Sequence, residues 1–229
     1  SLPTPNGVKV SILLEETGLP YEPHLVSFET NDQMSPAFLS LNPNNKIPAI
    51  LDPNGPGGQP LALFESGAIL LYLADKTRQF IPADLRGRNM ALQWLFWQMG
   101  GLGPMAGQNH HFGTYAPEKL PYAIERYVKE TARLYAVLDR HLADRDFIVN
   151  GHYSIADMAC YPWIVPHERQ QQRLEDFPNL KRWFDAIAAR PATQRAYARA
   201  AEVNPAGTPT VNEASRKVLF GQDATTIRR

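Results

Sequence analysis

The chain has 229 residues, 44% hydrophobic and 20% charged, a composition typical of one large or two small globular domains. Lysine plus arginine equals aspartate plus glutamate at 23 each, so the charge balance predicts no attraction to nucleic acid or to an anionic membrane. One cysteine excludes a disulfide framework and a CxxC redox pair, and no apolar run approaches the ~18 residues of a membrane span; we therefore expect a cytoplasmic protein.

The N-terminal third begins with a proline-rich loop and then alternates helical and strand patterns. Apolar residues recur at helical spacing over Val8–Thr17, so Asn6 lies at the start of a helix. A strand is predicted within Leu19–Phe28, and Ser35 followed by Pro36 opens a short helix that ends near Leu41.

The most informative stretch runs over residues 44–73, where two short apolar runs flank a turn-rich loop and a helix follows directly. The first run contains Pro48, which cannot donate to a strand ladder; Ile47–Pro48 is therefore a candidate cis bond, with the backbone of Ile47 free for a ligand. Glu65 and Ser66 stand at the start of the helix, where unpaired N–H groups suit a carboxylate.

From Asp84 onward the periodicity is helical throughout. Glycine and proline over residues 100–104 predict a kink, and Pro117 is predicted to start a helix that ends near Leu142. Ser154 precedes Asp157 by three residues, the spacing of a capping box, and prolines 178 and 191 open the last two helices. The pattern predicts a small α/β domain followed by an all-helical one.

The residues KIPAI followed by FESGAILLYL resemble the glutathione-binding half of the cytosolic glutathione transferases. The resemblance implies an α/β plus all-α fold: a thioredoxin-like glutathione-binding domain over residues 1–76, a linker over 77–83, an all-helical domain over 84–202 and a tail over 203–229. In that family an inner strand precedes the first loop. We therefore expect the native chain to have residues before Ser1.

Further motifs resemble the nu class of that family, the glutathione-dependent disulfide-bond oxidoreductases. They are TPNG at residues 4–7, LQWLFWQMGGLGPMAGQNHHF at 92–112, PYAIERY at 121–127 and YSIADMACYPW at 153–163. By this resemblance Thr4 and Asn6 face the glutathione sulfur and Arg126 reaches toward it. The other implied contacts are Gln33 and Lys46 at the glycine end, Ile47 on the cysteinyl backbone, and Glu65 and Ser66 on the γ-glutamyl group.

The residue types of Thr4 and Asn6 fit that role independently of the resemblance, because a hydroxyl and an amide at a helix N-terminus stabilise a thiolate. Simple capping and turn formation is the alternative for both. Pro3 occupies the position where better-known classes keep a thiol-activating tyrosine, serine or cysteine, which places ordinary conjugation in doubt. Cys160 is expected to be buried, so glutathione must supply both reducing thiols.

Three features have competing interpretations. His110 and His111 point about 100° apart on a helix with no third ligand at helical spacing, so they indicate a cleft lining and no metal. Arg126 could instead belong to a solvated helix face. The tail over residues 203–229 is either disordered or held on the bundle by its apolar cluster, Val218 to Phe220.

The sequence therefore predicts a homodimeric, glutathione-dependent disulfide reductase. Its co-substrate is glutathione and its partner is a small disulfide or electrophile. A conventional transferase that conjugates electrophiles is one alternative, and a non-catalytic glutathione-binding regulatory protein is another. Turnover of a small disulfide with glutathione distinguishes the first from the other two.

Overall fold

The computed structural model describes residues 4–149, 151–205 and 213–227. The small N-terminal part contains two strands and three helices: α1 (Pro5–Thr17), α2 (Pro36–Leu41), β1 (Ala49–Asp52), β2 (Leu61–Phe64) and α3 (Ser66–Thr77). The helical part contains α4 (Leu85–Trp97), α5 (Gly103–His110), α6 (Pro121–His141), α7 (Ile155–Ile164), α8 (Pro178–Ala188) and α9 (Pro191–Val203). Two tail helices follow, α10 (Glu213–Phe220) and α11 (Ala224–Ile227). The predicted order, an α/β part followed by a helical part, is confirmed.

Helix α1 forms for local reasons that the sequence displays. Thr4 caps its N-terminus by accepting a hydrogen bond from Gly7 N at 3.3 Å, and Pro5 at the first position already has the helical φ. Gly18 ends the helix with φ 68°, a left-handed conformation that only glycine adopts without strain. The buried side chains of α1 pack against α3, α7 and α9, so this helix joins the two parts of the molecule.

Strands β1 and β2 form an antiparallel hairpin in which Ala49 pairs with Phe64 and Asp52 with Leu61. The strand predicted within Leu19–Phe28 is wrong. That segment is irregular, because a strand requires a ladder partner and no described segment forms ladder hydrogen bonds with it.

The long helical run after residue 84 contains two departures from α-geometry. The interruption predicted at residues 100–104 is a π-helical segment over Gln98–Leu102, and a second one covers His111–Tyr115. The prediction that a helix starts at Pro117 is wrong by one turn. Helix α6 begins at Pro121, whose ring suits the first helical position, where no intrahelical N–H bond is lost.

Helix α7 is the centre of the helical part, and nine of its ten residues are buried. The capping box predicted from Ser154 and Asp157 is confirmed. The Asp157 carboxylate also accepts from Ile148 N at 2.9 Å and from Trp183 Nε1 at 2.8 Å, which ties α7 to the preceding loop and to α8. Burial raises the pKa of Asp157 to about 6.

Pro178 and Pro191 start helices as predicted, but these helices are not the last. In the tail, the Phe220 ring lies 4.8 Å from the His111 ring and 5.7 Å from the Tyr115 ring, centroid to centroid. Gln222 Oε1 accepts from Asn45 Nδ2 at 3.2 Å. Of the two interpretations of the tail, its described part supports a segment held on the bundle; residues 206–212, which connect it to α9, lie outside the described residues.

Asp157→Ala tests whether the Asp157 carboxylate stabilises the fold by joining α7 to the preceding loop and to α8. The substitution removes the acceptor of four hydrogen bonds, from Ile148 N, Ser154 N, Ser154 Oγ and Trp183 Nε1. We expect the free energy of unfolding, measured by urea denaturation, to fall by at least ~3 kcal/mol, because buried donors lose their partner. Asp185→Ala, which breaks only an exposed pair with Lys181, should change it by less than ~0.5 kcal/mol. Equal losses in the two variants would contradict this role.

Candidate functional site

The first turn of α1 presents two polar side chains whose acceptor atoms are already occupied. Thr4 Oγ1 accepts from Gly7 N at 3.3 Å, and Asn6 Oδ1 accepts from Trp163 Nε1 at 2.9 Å. The Thr4 hydroxyl proton and the Asn6 amide protons remain available as donors. Together with the positive end of the helix dipole, they form a donor group suited to an anion such as a thiolate.

The start of α3 is a second donor group. Ser66 is 3% exposed, and its N–H and those of the next residues have no helical partner at this end. Glu65, which precedes it, is exposed and has φ 67° and ψ 113°, a strained conformation for a residue with a side chain. An added Cβ at Gly67 would lie 3.0 Å from Met99 Cγ, so a larger residue where α3 meets the π-helical segment would require the Met99 side chain to shift.

Lys9 connects these two helix starts. It lies one turn after Asn6 on the same face of α1, and its ammonium donates to Ser66 Oγ at 3.2 Å and to Gln98 Oε1 at 2.6 Å. The side chain is 1% exposed. The N-termini of α1 and α3 are therefore held within one lysine side chain of each other.

The residues expected at the glycine end of glutathione lie on neighbouring loops. Gln33 is 1% exposed, and neither Oε1 nor Nε2 has a hydrogen-bond partner within the described part of the chain. Asn45 Nδ2 contacts the sulfur of Met34 at 2.8 Å, which brings the loop of Lys46 beside that of Gln33. Ile47 lies just before β1, and its bond to Pro48 is cis, as predicted.

Arg126 is set apart from this group. It is exposed on α6 in a surface groove formed with Tyr122, Glu125, Glu130 and other residues of the same helix. Its charge lowers the pKa of Glu130, and within the described residues no contact joins it to the other predicted site residues.

The histidines and the cysteine have surroundings that limit their chemistry. Burial and the nearby Arg169 lower the pKa of His110 to about 4, so this imidazole is neutral at physiological pH. Burial raises the pKa of the Cys160 thiol, and the predicted burial of this residue is confirmed. Across the described ranges, no group of three histidine, cysteine or acidic side chains could hold a metal ion, and no helix is long and apolar enough to cross a membrane.

Two residues of this site, Trp163 and Lys9, were not identified from the sequence. Trp163 comes from α7 and fixes the orientation of the Asn6 amide, a contact between residues 157 positions apart that no local pattern indicates. Lys9 did leave a signal: a lysine between two valines, one helical turn after Asn6, must either reach solvent or be buried among polar groups.

Comparison with known proteins gives two family matches. The description "Glutathione S-transferase, N-terminal domain" fits residues 4–76, and "Glutathione S-transferase, C-terminal domain" fits residues 106–191. The chain is 52% identical over 199 residues to the disulfide-bond oxidoreductase YfcG of Escherichia coli K12, covering 86% of this chain and 93% of that protein.

Solved structures agree with these matches. A glutathione transferase from Burkholderia graminis, with two glutathione molecules bound per subunit, is 56% identical with a TM-score of 0.81, covering 86% of this chain and 85% of that one. A glutathione transferase from Pseudomonas putida, with one glutathione disulfide bound per subunit, is 53% identical with a TM-score of 0.82, covering 86% and 88%. With both family models matched and the fold reproduced, the chain belongs to the glutathione S-transferase family.

Proposed function

We propose that this protein is a glutathione-dependent disulfide-bond reductase of the nu-class type, which uses glutathione thiols and no cysteine of its own. The observation that carries the proposal is the donor pair Thr4 and Asn6 at the start of α1 in a chain whose single cysteine is buried. The name of the Escherichia coli relative, a disulfide-bond oxidoreductase, and the glutathione disulfide bound in the Pseudomonas putida protein support it.

The chemistry is two thiol–disulfide exchanges. The thiolate of one glutathione attacks a sulfur of the substrate disulfide, which forms a mixed disulfide and releases one substrate thiolate. The thiolate of a second glutathione attacks the glutathione sulfur of the mixed disulfide, which gives glutathione disulfide and the second substrate thiolate. Each released thiolate takes up a proton, and the donors at the start of α1 increase the fraction of attacking thiolate by stabilising its charge.

The remaining site residues follow the same assignment. Glu65, Ser66 and the free N–H groups at the start of α3 hold the γ-glutamyl group, whose ammonium suits the exposed carboxylate and whose carboxylate suits the helix N-terminus. Ile47, two residues before β1, pairs with the cysteinyl backbone. Gln33 and Lys46 bind the glycine end, a role supported by the buried, unpartnered amide of Gln33. Arg126 is assigned to the thiol side of bound glutathione by the family resemblance alone, since no contact among the described residues joins it to Thr4 or Asn6.

The protein is further proposed to be a cytoplasmic homodimer that acts on small disulfides. Support for the dimer comes from α4, where Leu85 is 77% exposed and Phe96 69% exposed, so both large apolar side chains are available to a second copy.

Ser66→Ala and Glu65→Gln test the γ-glutamyl site. Each removes a partner of a charged ligand group, so glutathione binding measured by calorimetry should weaken by about 1–3 kcal/mol. Thr77→Ala, at the opposite end of α3, is the matched control and should bind glutathione as the unmodified protein does. Unchanged affinity in both site variants would show that the γ-glutamyl group does not bind at this position.

Asn6→Ala and Cys160→Ala test which sulfur is used. Loss of the Asn6 amide should lower kcat/KM for a small disulfide with glutathione by at least ~10-fold, or about 1.4 kcal/mol of lost anion stabilisation. Cys160→Ala should keep kcat/KM within a few-fold, with some loss of stability from the cavity. The reverse result, in which folded Cys160→Ala is inactive and Asn6→Ala is active, would assign the chemistry to the protein thiol.

Phe96→Glu tests the dimer. A charge at this exposed apolar position should shift the protein to a monomer in sedimentation at micromolar concentration, because an ion buried in an apolar interface is strongly unfavourable. Leu25→Glu changes another exposed apolar residue, away from α4, and should leave the association unchanged. An unmodified protein that already sediments as a monomer would overturn the proposal.

A further inference from the structure

Lys9 is a buried charge without a charged hydrogen-bond partner. Its Nζ donates to Ser66 Oγ at 3.2 Å, to Gln98 Oε1 at 2.6 Å and to Met99 Sδ at 3.5 Å, and all three acceptors are uncharged. The side chain is 1% exposed and follows Val8 on the inner face of α1. An ammonium in such surroundings loses most of its hydration, and neutral acceptors compensate only in part.

The fold itself does not require this charge. A methionine has nearly the same length and would fill the space between α1 and Met99 without desolvating an ion. Burial lowers the pKa of Lys9 to about 7, with the neighbouring Cys160 and Glu65 opposing the shift. A buried, incompletely compensated charge that packing does not need points to a functional role.

The direction of its hydrogen bonds indicates the role. An ammonium group only donates, so Ser66 Oγ must be the acceptor in their bond. The Ser66 proton is then directed elsewhere, and in this structure its nearest acceptor is the weakly accepting sulfur of Met99, 3.6 Å away. A carboxylate at the start of α3 would be a far better acceptor for that proton.

We propose that Lys9 is a positioning residue for the γ-glutamyl carboxylate of glutathione: it turns the Ser66 hydroxyl toward that carboxylate, and binding of the carboxylate is coupled to protonation of Lys9. This inference rests on the proposed function, because it requires the γ-glutamyl end to lie at Ser66. Lys9 would then affect the ligand without touching it, through the orientation of the Ser66 hydroxyl and through the electrostatic field of its charge.

The groups around Lys9 determine the sign of the coupling. Glu65 faces it from the start of α3, Cys160 faces it from α7, and the π-helical segment contributes only the neutral Gln98 and Met99. Arg190, which precedes α9, pairs with Glu16, and Arg195 of α9 pairs with Glu15, both at the far end of α1. Arg199 of α9 pairs with Glu202 of the same helix. A carboxylate arriving at Ser66 adds negative charge, so it raises the pKa of Lys9 and binding takes up a proton.

The unmodified protein tests the coupling directly. Calorimetry with S-methylglutathione, which has no thiol to titrate, in buffers of different ionisation enthalpy should show close to one proton taken up per ligand at about pH 8. Affinity should fall about tenfold between about pH 6 and about pH 8, because above a pKa of about 7 the ligand must bind with proton uptake. Binding with no proton uptake and a flat pH profile would overturn the role of Lys9 while leaving the proposed function intact. No binding at any pH would overturn both.

Comparison of Lys9→Met with the unmodified protein separates the titration of Lys9 from that of the ligand, because the ligand titrates in the same way with both proteins. We expect the affinity of the variant at about pH 6 to be at least ~10-fold lower, with the difference shrinking toward about pH 8 as the unmodified protein loses its proton. Its Tm should change little, because relief of the buried charge is offset by the donor that the buried Gln98 Oε1 and Ser66 Oγ lose. A lower Tm together with unchanged affinity and proton uptake would make Lys9 a purely structural residue.

Two more variants complete the design. Lys181→Met removes an exposed lysine on α8, paired with Asp185, and should change neither affinity nor proton uptake. If Lys9→Met does not fold, Lys9→Gln keeps a donor to Ser66 without the titratable charge and should lose the proton uptake while keeping part of the affinity. Proton uptake that persists in a folded Lys9 variant would assign the titration to another group and overturn the inference.

Discussion

The docking of the first turn of α1 against α3, α7 and the π-helical segment is the constraint on which the site depends. Two side chains on one face of α1 make this contact: Asn6 with Trp163, and Lys9 with Ser66 and Gln98. Because those partners come from both parts of the molecule, a shift of α1 would change the thiol end and the γ-glutamyl end of the proposed site together. The Asn6 amide is oriented by this contact, whereas Thr4 is oriented by the cap of its own helix.

Electrostatic magnitudes explain why one helix terminus is not enough. A helix N-terminus stabilises an adjacent anion by about 0.3–1 kcal/mol when exposed, and up to about 2 kcal/mol when partly buried. The proposed ligand carries two separate anionic groups. The start of α3 stabilises its γ-glutamyl carboxylate, and the start of α1 stabilises its thiolate. The buried ammonium of Lys9 contacts Ser66 at the start of α3 and lies one turn after Asn6 at the start of α1. Because the ammonium is buried, its charge is poorly screened.

Several residues of the proposed site have locally unfavourable features. Glu65 has a strained backbone, Gln33 has a buried amide with no partner in the described part of the chain, and Lys9 is a buried charge among neutral groups. Each lowers the stability of the ligand-free protein, and none improves packing. In the proposed function, bound glutathione would supply partners to these groups and offset part of that loss.

The features that could be predicted from the amino-acid sequence are those that depend on local chemistry. Proline at a first helical position, Ser35 as a cap and the Ser154–Asp157 box predict helix starts because each acts within one turn, and the motifs around Pro48 and Ser66 carried the family resemblance. Whether Leu19–Phe28 forms a strand depends on packing, because a ladder needs a partner. The start of α6 at Pro121 also depends on packing, because Pro117 is an alternative first residue four positions earlier. Likewise, the contacts of Asn6 with Trp163 and of Lys9 with Gln98 join residues far apart in the chain, and their geometry exists only once the helices have packed.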